Sequence, residues 1–167
     1  MRPEPVRLAF GGPARPEVLD ALSDLLDRVW GLCPAVAAVD RMSTELAVAE
    51  IATNMVEHCM GELGMVGPGA PVGITADVAV HADRIEVDLV DPGPAAVVDL
   101  AAARLPDDPY AERGRGLALV RAVVGEVGYV RDGDRNRWWF MLRRTAAPVT
   151  APPAAAPTRG ACGARTG

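Results

Sequence analysis

The 167-residue chain is predicted to be an α+β protein: a two-layer α/β sandwich with a mixed, mostly antiparallel sheet and helices on one face. Three observations predict it. Segments of alternating and of helical apolar spacing follow one another as strand, helix, helix, strand, strand, helix, strand, strand. Consecutive strands are joined by turns too short for a parallel crossover. The helices carry apolar stripes able to cover one face of a sheet.

Each element has its own signal. "PVRLAF" (5–10) alternates and reads as a strand. "RPEVLDALSDLLDRVW" (15–30) spaces Leu19, Leu22, Leu25, Leu26 and Val29 as one buried helical stripe. A long helix follows, with Ser43 or Thr44 as its expected N-cap and Glu45 in its first turn. "MGELGMVGPGAP" (60–71) is rich in Gly and Pro and reads as a loop. "VGITADVAVHAD" (72–83) and "RIEVDLVD" (84–91) read as two strands with a tight turn near Ala82-Asp83. A variable segment, 94–113, leads to "GRGLALVRAVVGEVG" (114–128), a glycine pair opening an apolar helix. "YVRD" and "NRWWFMLRR" (136–144) flank "GD" as a terminal hairpin. From Thr145 the composition turns to Pro, Ala, Gly and Thr without periodicity. The expected division is therefore one domain over 1–144 and a disordered tail over 145–167.

Composition removes several function classes. Net charge is −5 and no basic run exceeds two arginines, so the clustered positive charge that phosphate neutralisation of nucleic acid needs is missing. The first ten residues hold no apolar core of signal-peptide length, and no stretch approaches the roughly 20 apolar residues of a membrane span. A soluble, cytoplasmic protein without a membrane partner is expected. Cys33, Cys59 and Cys162 are too few and too scattered for a disulfide framework or a zinc site. All seventeen basic residues are arginine. Without lysine there is no Walker A phosphate loop and no Schiff-base chemistry.

Three short motifs remain. In "EIATNMVEHC" (50–59), Glu50, Asn54 and His58 recur every four residues, just over one helical turn. On a helical wheel Val48, Ile51, Ala52, Met55, Val56 and Cys59 share the core face, with Glu50, Asn54 and Glu57 roughly opposite. The plain reading is a solvated helix face. In "DLVDPGP" (88–94), Asp91 ends a strand before Pro92-Gly93, which is either a turn or a carboxylate beside a glycine that lets a ligand near the backbone. In "ERGRGLALV" (112–120), Gly114 and Gly116 precede a helix whose first N–H groups could bind an anion, and Arg113 and Arg115 add charge. A lone G-x-G is weak evidence.

Together, E-x-x-x-N-x-x-x-H on a helix, D-x-G at a strand end and G-x-G-L opening a helix resemble the GHKL (Bergerat-fold) ATP-binding superfamily. The motifs run from about residue 43 to 124, and the strand order extends the likeness over about 5–144. "ELAVAEIATNMVEH" and "GRGLALV" look most like the stand-alone anti-sigma-factor serine/threonine kinases. The resemblance implies that Asn54 holds Mg²⁺ and that Asp91 accepts a hydrogen bond from the adenine amino group. It implies that Gly93 lets the base sit against the turn. Arg113, Gly114, Arg115, Gly116 and Leu117 would face the ATP phosphates, with 94–113 as a short lid. Two positions depart from the pattern. Ala95 stands where the family often has a second glycine, and "RWWFMLRR" lacks the threonine often found near the base. Trp138 and Trp139 read as core packing and a partner surface.

Glu50 discriminates between subfamilies. A serine hydroxyl attacking a phosphate benefits from a base, whereas a histidine nucleophile does not. The chain's histidines are His58 and His81, and nothing upstream could be a phosphoacceptor hairpin. The expectation is a kinase with Glu50 as base, acting on an anti-anti-sigma-type protein, sequestering a sigma factor and able to form a homodimer. The competing expectations are a non-catalytic module that switches partners with ATP occupancy, and an ATP-binding domain acting in trans within a larger regulatory system.

Overall fold

The computed structural model describes residues 3–63, 73–96, 98–101, 103 and 115–145. Strand β1 (Val6–Gly12) leads to helices α1 (Val18–Leu32) and α2 (Ala38–Leu63). Strands β2 (Ile74–Val80) and β3 (Arg84–Asp91) follow, then helix α3 (Gly116–Val123) and strands β4 (Glu126–Asp132) and β5 (Arg135–Arg143). The five strands form one sheet in the order β1-β2-β3-β5-β4. Every neighbouring pair is antiparallel, so the sheet is not mixed. The element order and the α+β class are those expected from the sequence.

The sheet buries one face because its strands alternate. In β3, Ile85, Val87, Leu89 and Asp91 are buried while Arg84, Glu86, Asp88 and Val90 are half-buried on the other side. In β5, Asn136, Trp138 and Phe140 take the buried phase. α1 contributes Val18, Leu22, Leu25, Leu26, Val29 and Trp30 to the same core. α2 adds Val48, Ile51, Ala52, Met55, Val56 and Cys59, the face the wheel assigned to it. Trp138 packs against Tyr129, with ring centroids 4.8 Å apart, whereas Trp139 occupies the opposite phase and is half-buried.

Three boundaries differ from expectation. α2 starts at Ala38, so Ser43 and Thr44 are not caps. Thr44 is buried mid-helix, and its hydroxyl donates to the carbonyl of Asp40 one turn back (2.8 Å). The helix start is held instead by Asp40, whose carboxylate accepts from the backbone N–H (2.9 Å) and hydroxyl (2.7 Å) of Thr145. α2 also runs on to Leu63, so the first residues of the expected 60–71 loop are helical. Finally, α3 stops at Val123 rather than 128, because Glu126 and Val127 pair with Met141 and Phe140 of β5.

The β4–β5 turn is the two-residue Gly133-Asp134 link that the hairpin pattern predicts. Gly133 has φ +58°, a conformation that favours glycine. Beyond β5, Arg144 donates to the carbonyls of His81 (2.8 Å) and Ala35 (3.0 Å), tying the strand end to two loops. The expected tail lies outside the described residues apart from Thr145. Among the described residues no helix is long and apolar enough to cross a membrane.

Candidate nucleotide site

The site candidates fall into two groups, at the end of β3 and between α2 and α3. The first is built by strand register. Asp91 is the last residue of β3 and lies in its buried phase, with only 2% of its surface exposed. Its cross-strand partner is Asn136, also 2% exposed. Asp91 Oδ1 accepts from Asn136 Nδ2 (2.8 Å), the Gly93 N–H (2.7 Å) and, more weakly, the Cys59 thiol (3.7 Å). None of these three donors uses Oδ2.

Burial pushes the Asp91 carboxyl above its ordinary range. Bonds from Asn136, Gly93 and Cys59, then the nearby Arg131 charge, oppose that rise. Burial and the neighbouring Asp91 charge push the Cys59 thiol up to about 11, so at neutral pH it is a protonated donor and not a nucleophile. A side chain at Gly93 would not fit: its Cβ would lie 2.7 Å from Asp91 Oδ1 and 3.1 Å from Cys59 Sγ.

Around Asp91 the network extends across the hairpin. Asn136 Nδ2 also reaches the carbonyls of Gly93 (3.3 Å) and Pro94 (2.8 Å). Asn136 Oδ1 accepts from the Tyr129 hydroxyl and from Arg131, each at 2.8 Å. Arg131 donates to the Gly93 carbonyl (2.6 Å), and the Ala96 N–H donates to the Tyr129 hydroxyl (3.0 Å). Within residues 91–96, Asp91 Oδ1, the Gly93 and Pro94 carbonyls and the Ala96 N–H are thus bonded to β4 or β5.

The second group is built by helix packing. Glu50 and Asn54, one turn apart on α2, are half-buried and face the start of α3. A Cβ on Gly116 would lie 2.5 Å from Glu50 Oε2 and 3.8 Å from Asn54 Nδ2. Glycine here allows the carboxylate to approach the helix N-terminus, where first-turn N–H groups lack intrahelical partners. Arg115 precedes this helix, and Leu117 lies in its first turn, packed against the core. Neither the Glu50 nor the Asn54 side chain has a hydrogen bond or ion pair among the described residues. No cluster of three or more His, Cys, Asp or Glu that could hold a metal occurs among them. A site offering one or two oxygen ligands suits Mg²⁺, which keeps waters and binds substrate phosphates rather than sitting in a protein cage.

The sequence motifs therefore meet in space as two patches: Glu50 and Asn54 with Gly116, and Asp91 with Gly93. Arg113 and Gly114, and the expected 94–113 lid beyond a few of its residues, lie outside the described residues. Arg121 does reach the carbonyls of Ala101 (3.2 Å) and Ala103 (3.1 Å), which fastens part of that segment to α3. His58 is exposed and joins neither patch. Sequence reasoning missed Cys59, Tyr129, Arg131 and Asn136. For Asn136 a signal existed: it takes the same strand phase as Trp138 and Phe140, where a polar side chain needs a partner.

Comparison with known proteins comes to the same fold. A family model described as the histidine kinase-like ATPase domain matches residues 12–141. Among solved structures the chain is similar to the RsbU and RsbW domains of Rv1364c from Mycobacterium tuberculosis, with a TM-score of 0.57 and 18% sequence identity. The match covers 83% of this chain and 32% of that one. At this identity the likeness speaks to the fold. No curated protein matches.

Proposed function

The chain belongs to the histidine kinase-like ATPase domain family, and from that premise we propose that it binds ATP and transfers the γ-phosphate to a serine or threonine of a small partner protein. The observation that carries this reading is the approach of Glu50 Oε2 to the first residue of α3, with Asn54 one turn on. A carboxylate beside a phosphate-binding helix start is where a base for an incoming hydroxyl is needed.

In this reading Asp91 accepts the adenine amino group through Oδ2, the oxygen its three donors leave unused. Gly93 leaves room for the base. Arg113, Gly114, Arg115, Gly116 and Leu117 bind the phosphates. Asn54 holds Mg²⁺, which when bound neutralises charge on the phosphate oxygens. Glu50 takes the hydroxyl proton as the hydroxyl oxygen bonds to the γ-phosphorus. The bond to the bridging oxygen breaks, and its electron pair leaves with ADP. The partner class, an anti-anti-sigma-type protein with a sigma factor as second ligand, rests on the likeness of "ELAVAEIATNMVEH" and "GRGLALV" to the anti-sigma-factor kinases. The similar solved structure, which carries an RsbW domain, is in keeping with it.

The test is phosphate transfer from γ-labelled ATP to a small serine-bearing protein of the anti-anti-sigma class. Wild type should transfer. Glu50→Gln should keep ATP affinity and lose about 10²–10⁴-fold in transfer rate. Asn54→Ala should lose the Mg²⁺-dependent part of ATP affinity. A wild type that binds ATP and partner yet transfers nothing would leave a nucleotide-dependent switch as the function.

A further inference from the structure

We propose that Asn136 is a positioning residue for base recognition: its buried amide fixes the rotamer of Asp91 and the path of residues 93–96, so that one carboxylate oxygen is presented outward and adenine is preferred over guanine. The inference rests on the nucleotide reading of the site and adds to it a residue that none of the sequence motifs contains.

A primary amide has two N–H hydrogens and one acceptor oxygen. Those of Asn136 are all engaged, and all toward one end. Its nitrogen donates to Asp91 Oδ1 and to the carbonyls of Gly93 and Pro94, so one hydrogen is shared. Its oxygen accepts from Tyr129 and Arg131. Arg131 can only donate, which fixes which end of the amide is oxygen. The amide cannot turn without breaking several bonds in a dry setting, where each lost bond is costly.

That rigidity is transmitted to Asp91. With Oδ1 held by Asn136 and the Gly93 N–H, the plane of the carboxylate is set and Oδ2 cannot exchange places with it. An acceptor fixed in direction discriminates an amino group from a carbonyl oxygen at the same place on a purine, because the wrong base leaves two acceptors facing each other. A mobile carboxylate could turn away and lose that discrimination. Asn136 also offsets the burial that pushes the Asp91 carboxyl up, more than any other neighbour does. Among the described residues, the titratable and charged groups facing Asp91 are Cys59 from α2 and Arg131 from β4, with Tyr129 one bond further through Asn136.

The test measures ATP and GTP affinity of the full chain across pH. Wild type should prefer ATP. In Asn136→Ala the ATP-to-GTP affinity ratio should fall about 10- to 100-fold, the range expected when a buried bond to a charged group is lost. The pH below which ATP affinity declines should move up, because Asp91 loses the bond that most favours its charged form. Asn136→Thr, which keeps a donor on a strand-favouring side chain, should recover part of the ratio. Should Asn136→Ala fail to fold, Tyr129→Phe decides: it removes the hydroxyl that donates to the amide and holds the Ala96 N–H of the same segment, and the ratio should fall about 3- to 10-fold. Affinities for ATP and GTP that drop by the same factor, with the pH profile unmoved, would overturn the inference and leave Asn136 a structural residue. A wild type without ATP preference would overturn the base-recognition reading of Asp91 and this inference with it. A wild-type preference retained in the folded variants overturns the inference alone.

Discussion

The two ends of the candidate site are built on opposite terms. At the β3 end, Asp91 and Asn136 are almost wholly buried, and Asp91 Oδ1 and the Asn136 amide are held by one another, by Gly93 and by the β4–β5 hairpin. At the α2–α3 end, Glu50 and Asn54 are half-buried and their side chains carry no hydrogen bond or ion pair among the described residues. In the reading proposed above, the difference suits what each end would recognise. A purine is neutral and flat, so it is told apart by a few fixed polar atoms in a dry pocket. A triphosphate with its metal brings its own charge and water, and groups that meet it need freedom to adjust. One end is rigid before any ligand arrives. In that reading the other is completed by the ligand.

Beyond the loss of transfer in Glu50→Gln, the largest effect that separates the two ends is expected at Asp91. Asp91→Asn keeps an acceptor for Asn136 but replaces a carboxylate oxygen with an amide nitrogen. Preference for ATP over GTP should fall by about 10- to 100-fold with little change in melting temperature. Competition calorimetry reads the ratio, and an unchanged ratio would reduce Asp91 to a turn residue.

The next effect compares two glycines. Gly93→Ala forces a methyl against the bonded Asp91 and Cys59 side chains, which cannot move aside. It should cost about 1–3 kcal/mol of stability, measured by chemical denaturation. At Gly116 the obstacle is the free end of the Glu50 side chain, which can swing away. Gly116→Ala should therefore leave stability within about 0.5 kcal/mol while displacing Glu50 and lowering transfer. Equal destabilisation by both would erase the contrast between a rigid and an adaptable end.

A third prediction uses pH. Burial raises the Asp91 carboxyl in the folded protein, so the group is more easily protonated folded than unfolded. Its contribution to stability is then fully present below the unfolded value and is lost as pH rises through the folded one. Relative to Asp91→Asn, the ligand-free wild type should lose stability as pH rises above the ordinary aspartate range. ATP affinity should run the other way, falling as pH drops and the acceptor is protonated. Melting curves and ATP titrations over that range check both signs. Parallel trends would mean that Asp91 does not meet the base as a carboxylate.

The smallest effect is expected at His58. It continues the four-residue spacing of Glu50 and Asn54 but is exposed. His58→Ala should change ATP affinity by less than about 0.5 kcal/mol. A larger loss would extend the phosphate end of the site by another helical turn.

The sequence by itself determined the order of elements, the core face of α2, the strand that ends at Asp91, and the one-turn spacing of Glu50 and Asn54. All of these are local periodicities, and local geometry makes them legible. Tertiary structure decided the rest. The polar strip of α2 could be solvent-facing or ligand-facing, and only the packing of α3 turned Glu50 and Asn54 toward Gly116. α2 begins five residues before its best local cap because Asp40 is held by Thr145, 105 positions along the chain. α3 ends early because residues that continue its apolar pattern pair with β5 instead. Asn136 became part of the site through a strand register that sets it beside Asp91, 45 residues away. Burial of a polar group and pairing across a sheet are long-range properties. A window along the chain can indicate that Asn136 needs a partner, but the partner is supplied by the fold.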